Sequence, residues 1–113
     1  MKKIEAIIRP VMFEKVKNAL EEVGYPGITV SEVEGHGKQK GMTQQWRGQE
    51  YRVEMLPKLK LEIVSSNKDV GKIVKAILES AKTGKVGDGK VFVYSIEEAY
   101  KVSTGEEGEK TVM

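Results

Sequence analysis

Between Thr83 and Lys90 the chain reads Thr-Gly-Lys-Val-Gly-Asp-Gly-Lys, three glycines interleaved with Lys85, Asp88 and Lys90. Glycine lets a backbone turn through positive φ and lets a ligand come close to the main chain. N–H groups bared in such a turn form a concavity that holds anions, and Lys85 and Lys90 add positive charge. The chemistry these residues suit is the cradling of phosphate. The plainer reading is a tight, solvated turn, which a glycine-rich stretch also makes. Gly84 to Lys90 reproduces most of a Walker A pattern, but Val91 stands where the magnesium-binding hydroxyl belongs. A P-loop also follows a strand and opens a helix. Here the order is reversed, so any phosphate is held another way.

A second stretch, Gly35 to Leu56, is polar, punctuated by glycine and long. Loops beyond about 12–15 residues are uncommon in compact domains and are usually functional or disordered. This one carries the only tryptophan, Trp46, beside Arg47, with Tyr51 and Arg52 close behind. Tyr, Trp and Arg are the residue types that anchor interfaces, which favours a binding loop over a bare hairpin tip. Cysteine is absent and His36 is the only histidine. Disulfides, thiolate metal sites and histidine metal clusters are thereby excluded. No acid–base pair marks a reactive centre, and Glu62 and Asp88 read as ligand contacts.

The elements that must position these stretches follow from periodicity. The 113 residues suffice for one domain, and 39% apolar with 32% charged residues is a globular composition. A net charge of +2 does not argue for nucleic acid. No run approaches the roughly 18 apolar residues of a membrane span, and the expected home is the cytoplasm. Ile4 to Ile8 alternates as a strand. Pro10 suits the first turn of a helix whose stripe is Phe13, Val16, Leu20 and Val23. Gly24 stops it, Pro26-Gly27 turns, and Ile28 to Glu34 is a second strand. Pro57 restarts order, and Leu59, Leu61 and Ile63 alternate as a third strand. Asn67 is placed to cap a helix striped by Val70, Ile73, Val74, Ile77, Leu78 and Ala81. Val91 to Ile96 is a fourth strand and Tyr100 to Ser103 one more short one. Thr104 onward reads as a mobile tail.

The halves resemble each other. Laying Ile4 on Leu61 puts Glu5 on Glu62, Ile7 on Val64, Val16 on Ile73, Ala19 on Ala76 and Leu20 on Ile77. A repeated strand–helix–strand unit predicts an α+β, ferredoxin-like βαββαβ fold. Two helices cover one face of such a sheet, and Ile7 and Val64 hint at burial on the other, so an oligomer is expected.

With these motifs in place, the chain resembles the PII nitrogen-regulatory signal-transduction proteins over nearly its whole length. Thr83 to Lys90 followed by Val91-Phe92-Val93 is similar to their B-loop, here about 82–90. Gly35-His36-Gly37-Lys38-Gln39-Lys40-Gly41 with Trp46-Arg47-Gly48-Gln49-Glu50-Tyr51 resembles their T-loop, about 37–56. Lys2 to Pro10 resembles their opening strand, and a C-terminal loop would run over about 101–113.

The resemblance implies a single domain assembled as a homotrimer that binds ATP or ADP between subunits and, with Mg-ATP, 2-oxoglutarate. By position, Gly87, Asp88, Gly89 and Lys90 would wrap the phosphates, with Thr83 at the loop's start. Gly35, Gly37, Lys38 and Gln39 would line the cleft from the T-loop base, and Thr29, Glu62 and Val64 would meet the adenine. Gln39, Lys40, Gly41, Lys58 and Gly87 would take 2-oxoglutarate, with Gln39 at Mg²⁺. Lys101 and Ser103 stand where the family has arginines reaching phosphates across the subunit boundary; lysine keeps the charge without the fork, and serine keeps neither. Arg47 would be the tip that plugs an ammonium channel, and Tyr51 is the position uridylylated in many bacterial members. The implied activity is regulatory, not enzymatic. Implied partners are an ammonium channel at the inner face of the membrane, a uridylyl- or adenylyltransferase, a sensor kinase, glutamine synthetase or a biosynthetic kinase. A PII-like protein tuned to another ligand and a weak ATPase are the alternatives.

Overall fold

A computed structural model of the chain describes residues 1–35, 43–46, 49–52 and 55–112. Strand β1 is Lys2–Ile8, and Pro10–Met12 forms a 3-10 turn that leads into helix α1, Phe13–Val23. Strand β2, Thr29–Gly35, is followed by a two-stranded antiparallel ribbon of β3, Thr43–Trp46, and β4, Gln49–Arg52. Strand β5 is Leu56–Ser65, helix α2 is Asn67–Ala81 and strand β6 is Gly89–Ser95. A last 3-10 turn spans Glu109–Val112. The main sheet has the order β2-β5-β1-β6 with antiparallel neighbours throughout, the ferredoxin-like arrangement expected from the repeat.

Alternation decides which face is core. Ile4, Ala6 and Ile8 of β1 and Leu61 and Ile63 of β5 are buried with Val16 and Leu20 of α1 and Ile73, Ala76 and Ile77 of α2. The positions matched by the repeat behave alike: Ile4 with Leu61, Val16 with Ile73 and Leu20 with Ile77 are all at most 1% exposed. Leu78, counted in the α2 stripe from sequence, is 55% exposed instead, while Ala76 is buried. The opposite sheet face carries Lys3, Glu5, Ile7, Lys60, Glu62, Val64, Phe92 and Tyr94, and neither α1 nor α2 covers it. Ile7 and Val64 are half-buried there, and Phe92 and Tyr94 are exposed.

The structure moves several local expectations. The cap of α2 is Ser66, whose backbone is still extended, and Asn67 is already helical. Ser66 Oγ donates to Asp69 Oδ2 at 3.1 Å, and Asp69 N–H returns to Ser66 O at 3.1 Å. Pro10 opens a 3-10 turn, not the α-helix itself. Tyr100 makes a single bridge with Glu107 in place of a strand, and the tail folds back on it. Lys101 N–H donates to Glu106 O at 2.8 Å and Gly108 N–H to Ala99 O at 3.0 Å, so 99–108 closes on itself. Pro57 pairs with Glu34 of β2, while β1 reaches only to Leu59 of β5. Its missing N–H therefore interrupts no ladder on the β1 side.

Candidate functional site

The glycine-rich loop begins where α2 stops. Lys82 leaves the helix in an extended conformation. The loop is then folded around one carboxylate. Asp88 Oδ2 accepts the N–H of Thr83 at 2.9 Å and of Gly84 at 3.0 Å. Asp88 Oδ1 accepts the Thr83 hydroxyl and, at 3.0 Å, Arg9 Nε from the end of β1. Thr83 Oγ1 in turn accepts Lys85 N–H at 3.2 Å. The Thr83 hydroxyl and amide, aided by Arg9 and Gly84, hold the Asp88 carboxyl well below the usual carboxylate range despite partial burial. Asp88 is thus a permanent anion at neutral pH.

Two cations fix the loop from outside. Arg9 Nη2 donates to Val86 O at 2.6 Å and Lys58 Nζ to Gly87 O at 2.7 Å. Because a trans peptide points its N–H away from its C=O, these bonds turn the Gly87 and Asp88 N–H groups to the side opposite Arg9 and Lys58. Among the described residues the Gly87 N–H has no acceptor within the chain. Burial, reinforced by the charge of Arg9, lowers the Lys58 amine from its usual range, with Asp88 opposing. An anion beside Lys58 would relieve that strain. The loop ends at Gly89, where φ is +112° and a Cβ would lie 1.7 Å from Ile7 O. Only glycine lets β6 start this close to β1. Lys90 follows, exposed and opposite Ile7 on the uncovered face.

That face gathers a second set. Thr29 pairs with Glu62 across β2 and β5. Thr29, Glu62 and Val64 share a cavity of about 380 Å³ with Lys3, the turn Pro26–Ile28 and the C-terminal Thr111 and Val112. Glu62 is ion-paired to Lys3 at 3.0 Å, with Lys60 at 3.9 Å. The Lys3 bond holds the Glu62 carboxyl below its usual range, and Glu62 holds the Lys3 amine above its own. Gly35 ends β2 against Lys58, whose Cγ would be 3.6 Å from a Cβ there.

Other sites named from sequence are not brought to the loop. Lys101 and Ser103 lie exposed in the C-terminal turn, and among the described residues no hydrogen bond or ion pair joins their side chains to 82–90. Gly37, Lys38, Gln39, Lys40, Gly41 and Arg47 lie outside the described residues. Tyr51 sits in β4 opposite Gln44. Sequence reasoning missed Arg9 and Lys3. An acidic residue inside a loop read as anion-binding demands a cation, and that demand was the signal for Arg9. Among the described residues no cluster of His, Cys, Asp or Glu suits a metal, and no helix is long and apolar enough to cross a membrane.

A ferredoxin-like fold with one sheet face left open by α1 and α2, a charge-braced glycine loop and a long insertion between β2 and β5 defines a small regulatory protein of the PII kind. Comparison bears this out: a family profile described as nitrogen regulatory protein P-II matches residues 1–106, and the chain belongs to that family. It is 51% identical over 112 residues to the nitrogen regulatory protein P-II of Pasteurella multocida, covering 99% of this chain and 100% of the relative. It is 51% identical over 112 residues to nitrogen regulatory protein P-II 2 of Methanothermobacter thermautotrophicus, covering 99% and 97%. Identity to the P-II protein of Rhodospirillum rubrum is 54% over 108 residues, 96% of each chain.

Proposed function

We propose that this chain reports nitrogen status by binding ATP or ADP and 2-oxoglutarate at clefts between the subunits of a homotrimer. The observation that carries the reading is the 2.7 Å bond from Lys58 Nζ to Gly87 O. One side chain, standing just after the long insertion re-enters the sheet, holds the glycine-rich loop. A dicarboxylate that takes Lys58 must act on that loop, and a nucleotide in the loop must act on Lys58. Such coupling is reciprocal. Gly87, Asp88, Gly89 and Lys90 would hold the phosphates. Thr29, Glu62 and Val64, already gathered in one cavity, would receive the adenine. Lys101 and Ser103 would approach from a neighbouring copy, since the chain's own tail leaves them exposed. The bare sheet face supports association of copies, and the triphosphate would bring Mg²⁺ with it, to be met by Gln39.

The segment 37–56 would pass the ligand state to partners such as an ammonium channel, a nucleotidyltransferase, a sensor kinase or glutamine synthetase, in the cytoplasm and at the inner face of the membrane. Arg47 would touch the channel, and Tyr51 would be the modified residue. A binding role is favoured over an enzymatic one because Asp88, the acid nearest the loop lysines, is already occupied by four donors and is no free base. The test is calorimetry with ATP, then with 2-oxoglutarate in the presence and absence of Mg-ATP. Uptake of 2-oxoglutarate only with Mg-ATP is expected; no uptake under either condition rejects the 2-oxoglutarate reading. Arg47→Ala should abolish channel blockade and leave nucleotide affinity unchanged.

A further inference from the structure

We propose that Thr83 and Asp88 are positioning residues whose side chains brace the 82–90 loop from within and never touch the nucleotide, leaving the phosphates to main-chain N–H groups and lysines. The inference rests on the nucleotide reading above and departs from the expectation that both residues contact ligand. Four donors converge on the two Asp88 oxygens: two amides, one hydroxyl and one guanidinium nitrogen. An acceptor that is ionised makes hydrogen bonds roughly twice as strong as neutral ones, so this set outcompetes solvent for the carboxylate. The Asp88 side chain is only 24% exposed, and Arg9 at 3.0 Å neutralises it.

A bare carboxylate beside a triphosphate would repel it. One turned inward and paired does not, and what it returns is shape. It draws Thr83 and Gly84 toward Asp88, closing a ring across the loop. The remaining arc includes Val86 and Gly87, whose carbonyls Arg9 and Lys58 hold. Thr83 serves the same ring twice, donating its hydroxyl to Asp88 and accepting Lys85 N–H. The Gly87 N–H, without an acceptor among the described residues, and the exposed Lys90 are left for the ligand.

The two possible roles of Asp88 predict opposite signs. Mg-ATP is titrated calorimetrically into the full chain and into Asp88→Asn, Thr83→Ser and Thr83→Val. Amide exchange at Thr83 and Gly84 is followed by NMR in each. If the side chains brace the loop, Asp88→Asn weakens Mg-ATP binding about tenfold although it removes a negative charge, because two charge-assisted bonds and their geometry are lost. Thr83→Val weakens it comparably. Thr83→Ser, which keeps the hydroxyl, stays within about twofold of the unaltered chain. Exchange at Thr83 and Gly84 quickens in Asp88→Asn and Thr83→Val and not in Thr83→Ser. Equal or tighter Mg-ATP binding by Asp88→Asn overturns the proposal, as does a Thr83→Ser chain that behaves like Thr83→Val. If the unaltered chain takes up no Mg-ATP, the nucleotide reading falls, and unchanged exchange in Asp88→Asn would then overturn the brace separately.

Discussion

The connection from α1 to β2 and the connection from α2 to β6 occupy equivalent places in the two halves of the fold. Each carries the chain from a helix end into an edge strand of the sheet. The first is closed locally: Gly24, at φ +74°, donates its N–H to Leu20 O at 3.0 Å, and the chain turns at Pro26. The second is closed from a distance, by Arg9 just past β1 and by Lys58 of β5. Both border regions proposed above to meet ligand. Pro26, Gly27 and Ile28 form an apolar border to the Thr29–Glu62–Val64 cavity, while 82–88 is charged and polar. A duplicated turn has thus diverged into one plain wall and one braced loop. The difference lies less in the turns themselves than in what the central strands β1 and β5 offer each of them.

The largest test of that contrast is Gly89→Ala. A Cβ 1.7 Å from Ile7 O cannot be absorbed without moving β6 from β1. A loss of about 3 kcal/mol or more is expected in chemical denaturation. Gly24→Ala meets nothing within 4 Å and suffers only from its positive φ, about 1–2 kcal/mol. Equal losses at the two positions would break the comparison. Lys58→Met removes the donor to Gly87 O and should cost about 1 kcal/mol, with faster amide exchange in 83–88 and none of it in 24–28. Acid sharpens the contrast further. The folded Asp88 carboxyl titrates below its ordinary value of 3.8, so its contribution is present above that pH and is lost as pH falls beneath it. Protection of the Thr83 and Gly84 amides should persist through about pH 4 and fail only as the pH falls through the depressed folded value, while the backbone bond that closes Gly24 is indifferent to pH. The smallest effect is expected from Lys75→Ala on the outer face of α2. Its pair with Glu79 is 3.9 Å long and mostly exposed, worth at most about 0.5 kcal/mol in thermal unfolding.

Much of this architecture was legible in the sequence because burial writes itself as period. The two-residue alternation of Ile4, Ala6 and Ile8 and the helical spacing of Val16 and Leu20 became core. The match of Ile4 to Leu61 identified the repeat, and the glycine pattern drew attention to 82–90. Side-chain direction was not legible. Asp88 between two glycines looks like a group offered to ligand, yet Arg9 lies 79 positions away and only the β1–β6 pairing brings the two together. The ribbon of β3 and β4 was hidden because its sequences, Thr-Gln-Gln-Trp and Gln-Glu-Tyr-Arg, carry no apolar alternation. The tail was read as mobile because its order comes from backbone bonds and turns at Gly105 and Gly108, both at positive φ, not from an apolar stripe.

Pro57 has a consequence out of proportion to its size. It stands one residue inside the start of β5, paired with Glu34 of β2, with its φ locked and no N–H to lend to a further ladder. No further strand can add to β5 through that residue, so it marks a firebreak on the side where β1 stops at Leu59. The first residue beyond that firebreak is Lys58, whose ammonium is the thread left running across it.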